Sequence, residues 1–155
     1  MRKRKPKQRI IQPDPRFQDK VVTQFVNNLM KGGKKTTSFK IFYDAMDIIK
    51  EKSGENPHDI FKQALLNITP AVEVRSKRVG GATFQIPTEI RPKRRSSIGM
   101  KWLIKYSRAR NGKGMADKLA NEVLAASKGE GAAVKKKEDV HKMAESNRAY
   151  AHFRV

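Results

Sequence analysis

The sequence has no cysteine, three histidines and one tryptophan in 155 residues, and lysine and arginine outnumber its acidic residues 35 to 15. Without cysteine there are no disulfides and no thiolate metal ligands, which fits a reducing compartment. His58, His141 and His152 stand far apart, with no i, i+3 or i+4 pairing to build a metal site. The longest unbroken apolar run is four residues, Val123 to Ala126, whereas a membrane span needs about 18 or more. The basic N-terminus is not followed by the apolar stretch of about 7–15 residues that a secretory signal requires. Phosphate loops are missing as well. Gly33-Lys34 ends like one, but Asn28 stands where its first glycine belongs and Lys35 where serine or threonine is needed. Gly112-Lys113-Gly114 begins a dinucleotide fingerprint, yet Asp117 occupies its third glycine position. No carboxylates are spaced for acid–base work. The expectation is a cytoplasmic protein that is not an enzyme and takes no cofactor and no metal.

Positive charge is what the chain does have. The formal balance is +20, which points to a polyanionic partner. Hydrophobic residues make up 37%, enough for one modest core, so residues 1–155 read as a single domain. The charge is zoned. Residues 1–16 carry seven positive charges and one negative, residues 44–70 three and five, and residues 71–95 seven and two. The middle zone reads as scaffold, while the ends and the 71–95 stretch read as contact surface.

The first sixteen residues, with Pro13 and Pro15, read as a flexible basic arm. Asp19 can cap a helix whose apolar positions are Val21, Val22, Phe25, Val26, Leu29 and Met30, closed by Gly32-Gly33. A second helix is expected from Thr36 or Thr37 to the residue before Gly54. A third follows the Asn56 cap and Pro57, and Pro70 closes it. From Val72 to Ile90 the period changes to two, with Val72 and Val74 on one face, Glu73, Arg75 and Lys77 on the other, and Gly80-Gly81 as the turn. Helical spacing resumes after Pro92 through Ile98, Trp102, Leu103 and Tyr106, then from Met115 to near Gly129. A last helix and tail are expected over 138–155, preceded by Lys135-Lys136-Lys137. The chain therefore reads as a mainly α six-helix bundle with a long β-hairpin, or ribbon, over 72–90 between helices 3 and 4.

The candidate nucleic-acid contacts are the basic clusters: Arg2, Lys3, Arg4, Lys5, Lys7 and Arg9 in the arm, and Lys34 and Lys35 after the first helix. Arg75, Lys77 and Arg78 follow in the ribbon, Arg91, Lys93, Arg94 and Arg95 after it, then Arg108, Arg110 and Lys113, and finally Lys135 and Lys136. Each phosphate they neutralise releases counterions, so binding should be strong at low salt and weaken as salt rises. Arginine matches or outnumbers lysine around the ribbon, and planar guanidinium groups suit irregular RNA better than ammonium does. Phe17 and Phe84 could stack on bases or face inward. In the tail Tyr150-Ala151-His152-Phe153-Arg154, aromatic and basic residues interleave, as on a surface for unpaired bases. A basic ribbon can also enter a DNA groove, so an architectural duplex-DNA-binding protein is the competing reading.

Four blocks in order resemble a known family. They are Asp19-Lys20-Val21 with Phe25-Val26, Gly33-Lys34-Lys35 and Ile41-Phe42; Val72-Glu73-Val74-Arg75-Ser76-Lys77-Arg78-Val79-Gly80-Gly81 through Phe84-Gln85-Ile86-Pro87 to Glu89-Ile90-Arg91-Pro92; Lys135 to Ala144; and Ala149 to Arg154. Together they are similar to the ribosomal protein S7 family of the small subunit, in its bacterial form. The resemblance implies six helices with a ribbon between the third and fourth. It also implies direct binding to the 3′ major domain of 16S ribosomal RNA, nucleating assembly of the head of the 30S subunit. The ribbon tip, Val79, Gly80, Gly81, Ala82 and Thr83, and the final residues Arg148, Tyr150, His152 and Arg154 would lie near the exit-site (E-site) transfer RNA and the messenger path. The S11 protein, with other head proteins, would be a neighbour. In one departure, Lys31 stands where the family commonly has an acidic residue, adding positive charge beside Lys34.

Overall fold

The computed structural model describes residues 9–153. Six helices and one hairpin follow one another: α1 (Lys20–Leu29), α2 (Lys35–Ser53), α3 (Pro57–Ile68), β1 (Val72–Val79), β2 (Ala82–Glu89), α4 (Pro92–Ala109), α5 (Met115–Ser127) and α6 (Ala132–Ser146). A six-residue 3-10 helix, Arg148–Phe153, follows. This is the expected bundle with its inserted ribbon.

Local chemistry accounts for most boundaries. The Asp19 carboxylate accepts from Val21 N–H at 2.8 Å and so caps α1. Asn56 accepts from His58 N–H at 3.2 Å, with Pro57 in the first turn of α3. The hairpin is antiparallel, pairing Val72 with Glu89 and Val79 with Ala82. Gly80 and Gly81 turn it at φ 58° and 90°, the left-handed pair that a two-residue turn between twisted strands requires. Inside, Phe25, Phe42 and Phe61 are fully buried with ring centroids 5.1–5.6 Å apart. Edge-on aromatic pairs of this kind contribute about 0.5–1.5 kcal/mol each beyond their area. Leu103, Leu119 and Val123 complete the core from α4 and α5. Gly99 lets α4 approach the end of α3, since a β-carbon there would lie 2.9 Å from Thr69 Oγ1.

Asp19 also joins elements. Its other oxygen meets His58 Nε2 at 3.1 Å and Lys62 Nζ at 3.3 Å on α3. Burial pushes its carboxyl pKa up, but hydrogen bonds from Val21, Lys62 and His58 outweigh that and hold it below the ordinary value of 3.8. A folded-state pKa below the unfolded one means a contribution fully present above pH ~4 and lost as pH falls through the folded value. Asp19→Ala should therefore cost about 1–2 kcal/mol at neutral pH. Urea midpoints should approach those of the parent as pH falls below the ordinary carboxyl value, and a gap that stays constant on acidification would mean the carboxylate charge is not the source.

Three expectations change. The end of the expected 1–16 arm is anchored, because Asp14 is buried at 1% exposure. Its carboxylate accepts from Arg16 N–H, Phe17 N–H and the Tyr43 hydroxyl at 3.0, 2.9 and 2.7 Å. Burial and that bond push the Tyr43 hydroxyl pKa up to about 12. Phe17 accordingly faces inward, its ring stacked on His58 at 5.1 Å and edge-on to Phe42.

The last helix begins at Ala132, so Lys135–Lys137 lie within it rather than before it. It starts early because the Glu122 carboxylate accepts from Ala133 N–H at 2.9 Å, and Ala133 and Val134 are buried. The helix stops at Asn147, whose side chain donates to the Met143 carbonyl at 2.7 Å, and the tail turns off as the separate 3-10 segment.

The ribbon, finally, has no clean division into apolar and basic faces. Cross-strand partners share a face. The register sets Arg75 opposite Ile86 and Lys77 opposite Phe84, while Arg78, opposite Thr83, lies on the other side. Buried Ile86 belongs to the face with Arg75, where the tail and α6 cover the ribbon.

Candidate nucleic-acid interface

Helices α1 and α4 lie side by side, and three neighbouring recesses make up a basic channel that begins between them and ends against α2 and α5. The widest, about 1080 Å³, is lined by Arg9, Lys20 and Lys93 together with Gln24, Asn27, Ser96 and Ser97. Asn28 connects it to a second lined by Lys101, Lys105 and Arg108. Arg108 connects that to a third of about 460 Å³, lined by Lys31, Lys34, Lys113 and Lys118. Ten basic side chains and no carboxylate line the three recesses. Like charges this close repel one another in the free protein, and a polyanion relieves the repulsion. The groove between α2, α3 and α5 differs, since Glu55 and Asp59 accompany Lys52 and Lys128 there.

Internal bonds hold the channel's shape. Asn28 Nδ2 donates to the Gln24 carbonyl at 2.9 Å and reaches Met100 Sδ of α4 at 3.6 Å. Arg108 donates to the Leu29 carbonyl at 3.0 Å, closing the end of α1 against α4. On α4, Lys101, Lys105 and Arg108 follow at i, i+4 and i+7, a basic stripe opposite buried Leu103.

The candidate residues divide. The channel gathers Arg9, Lys34, Lys93, Arg108 and Lys113. Arg2, Lys3, Arg4, Lys5, Lys7 and Arg154 lie outside the described residues. Lys35 is the first residue of α2, its ammonium 5.8 Å from the Phe39 ring centre, and it does not line the channel. Around the ribbon, Glu73 binds Arg75 at 2.5 Å and Arg94 at 3.4 Å, tying β1 to the start of α4. Arg95 donates to the Ile90 carbonyl at 2.7 Å. Arg91, Lys77 and Arg78 are exposed. Arg110 is committed elsewhere, to an ion pair with fully buried Glu122. Lys135 is exposed and Lys136 half-buried on α6, away from the channel lining.

Tip residues Val79 to Thr83 sit at the end of the ribbon, all exposed but half-buried Val79. Arg148, Tyr150 and His152 lie on the 3-10 helix, which rests against β2 with the Tyr150 ring 5.2 Å from Phe84. Tail and ribbon thus form one surface. At the ribbon's root, Ala71 N–H donates to His141 Nε2 at 3.2 Å. Burial, and then the Lys137 charge, hold the pKa of that histidine below its ordinary value.

Sequence reasoning did not single out Lys20, Lys101, Lys105 and Lys118, which line these recesses, or the amides Gln24 and Asn27. The α4 stripe at helical spacing was a usable signal for two of them. The amides carried none, because neutral side chains leave no trace in a charge count.

Similarity to known proteins decides the family. The family described as ribosomal protein S7p/S5e matches residues 1–148. The chain belongs to the ribosomal protein S7 family. A small ribosomal subunit protein uS7 of Flavobacterium psychrophilum is 64% identical over 157 residues, covering 99% of each chain. Proteins of the same name from Cytophaga hutchinsonii and Porphyromonas gingivalis are 59% and 62% identical, again over 99% of each chain. Membership in the S7 family makes this a structural ribosomal protein and not an enzyme, as the sequence led us to expect. Among the described residues, no helix is long and apolar enough to cross a membrane.

Proposed function

We propose that this ribosomal protein of the small subunit binds the 3′ major domain of 16S ribosomal RNA along the α1–α4 channel. By holding that domain it nucleates assembly of the 30S head in the bacterial cytoplasm. The observation that carries the reading is the row of three neighbouring recesses lined by ten cations and no carboxylate, on a chain of the S7 family. Affinity comes mainly from phosphate neutralisation, and orientation from the rigid relation of α1 to α4. The arm before Asp14 adds contacts at the Arg9 end. The ribbon tip and the tail that rests on β2 face the E-site transfer RNA and the messenger path, with the S11 protein among the neighbours. A duplex-DNA role for the ribbon has less support, because Arg75 is already paired with Glu73.

Competition binding at two salt concentrations tests this. A labelled transcript of the 16S 3′ major domain should outcompete duplex DNA and an unrelated structured RNA of equal length, and keep its advantage at the higher salt. Equal binding to all three that collapses together would reduce the channel to generic charge.

A further inference from the structure

We infer that the widest recess, at the Arg9 end of the channel between Gln24 and Asn27 of α1 and Ser96 and Ser97 of α4, is a reading site for the ribose hydroxyls and minor-groove edges of an RNA helix. It would be the part of the surface that distinguishes RNA from DNA. The inference rests on the binding role proposed above and assigns a different chemistry to one segment of that surface.

Three observations carry it. First, the widest recess has neutral hydrogen-bonding groups along both walls, where the recess that shares Asn28 with it is lined mainly by the cations Lys101, Lys105 and Arg108. Gln24 and Asn27 stand one helical turn apart on α1, and among the described residues no hydrogen bond engages either side-chain amide, nor the hydroxyl of Ser96 or Ser97. Each amide offers a donor and an acceptor at once. A phosphate only accepts, so an amide carbonyl gains nothing from it, whereas a ribose 2′-hydroxyl and a groove edge use both halves.

Second, no aromatic side chain lines the recess. Splayed single-stranded bases are ordinarily held by stacking on aromatic rings, while A-form helices are read through their wide, shallow minor groove by contacts to 2′-hydroxyls. The lining chemistry fits the helix. Third, Ile10 stands on the arm side of the same recess and is 94% exposed. An isoleucine left in water beside polar walls matches the apolar faces of riboses along a minor groove. Arg9, Lys20 and Lys93 in this recess then hold the flanking phosphates.

Salt dependence separates the two kinds of contact, because only phosphate contacts release counterions. The experiment uses the full chain with Gln24→Ala and Asn27→Ala together, and with Asn27→Ala alone. Circular dichroism confirms the helical content of each variant. Affinities for the 16S 3′ major-domain transcript and for duplex DNA are measured from 0.1 to 0.4 M salt. The double variant should bind the transcript about tenfold more weakly at every salt concentration, with an unchanged slope and unchanged DNA affinity. Asn27→Ala alone, on an exposed position, should give part of the same loss.

Equal losses on RNA and DNA, or a flatter slope, would make the segment one more phosphate contact and overturn the inference. No loss on either would put the recess outside the interface. If the double variant loses affinity for single-stranded RNA but not for an RNA duplex of equal length, the helix assignment fails. A parent protein with no preference for the transcript over DNA would refute the binding role itself, a result distinct from all of these.

Discussion

Replacing Glu122 with alanine should lower stability by about 3 kcal/mol, the largest effect of any single substitution proposed for this protein. Glu122 lies on α5 with no exposed surface. One carboxylate oxygen accepts from Ala133 N–H at the start of α6, and the other pairs with the Arg110 guanidinium just beyond α4. The side chain thus joins three helices. Gly131 makes room for it, at φ 97° and with a hypothetical β-carbon only 3.1 Å from Glu122 Oε1. Truncation leaves a buried backbone N–H unpaired, a guanidinium that is 35% exposed without its counterion, and a small cavity. For a chain of this length the melting temperature should fall by roughly 6–12 °C. Glu122→Gln keeps an acceptor for Ala133 N–H and should lose about half as much. A double-mutant cycle of Glu122→Ala with Arg110→Ala should show coupling of about 1 kcal/mol or more. Strictly additive losses would mean that Arg110 is free to serve RNA after all.

This ion pair also marks where reading residues in order stops being informative. Boundaries set by neighbouring residues were legible: the Asp19 cap, the Asn56-Pro57 start, Gly54 after α2 and the Gly80-Gly81 turn all act within one turn of chain. The start of α6 was not, because the bond that sets it comes from Glu122, eleven residues earlier and on another helix. The seat of Asp14 depends on Tyr43, 29 residues away. The candidate surface follows the same rule. Charge located the basic clusters, but which ones share a channel depends on α1 lying against α4. Thus Arg108 lines the channel while Arg110, two residues on, turns to Glu122. Arg75 and Arg94, nineteen residues apart in the chain, both reach Glu73, a link that the charge pattern alone did not reveal.

The second large effect falls on binding and leaves the fold alone. Changing Lys31, Lys101, Lys105 and Lys113 together to alanine should weaken binding to the 16S transcript about a thousandfold at 0.1 M salt. All four are exposed and line the channel. None of their side chains takes part in a hydrogen bond or ion pair among the described residues, although the Lys105 ammonium lies 5.9 Å from the Tyr106 ring centre. Stability should therefore move little, and relief of repulsion among channel cations should offset some of the lost packing. Each phosphate contact contributes about 0.9 to the slope of log affinity against log salt, so four lost contacts should flatten it by roughly 3–4. Extrapolated to 1 M salt, variant and parent should converge, because the remaining hydrogen bonds and shape complementarity are unchanged. Arg108 is kept, since it also holds the Leu29 carbonyl and its loss would disturb the channel itself. The same four changes moved to Lys40, Lys50, Lys52 and Lys142, which are exposed and do not line the channel, give the control. Net charge falls equally in both variants. If both lose equal affinity and equal slope, the RNA responds to total charge and the channel has no special claim; if only the channel variant does, its geometry is the cause.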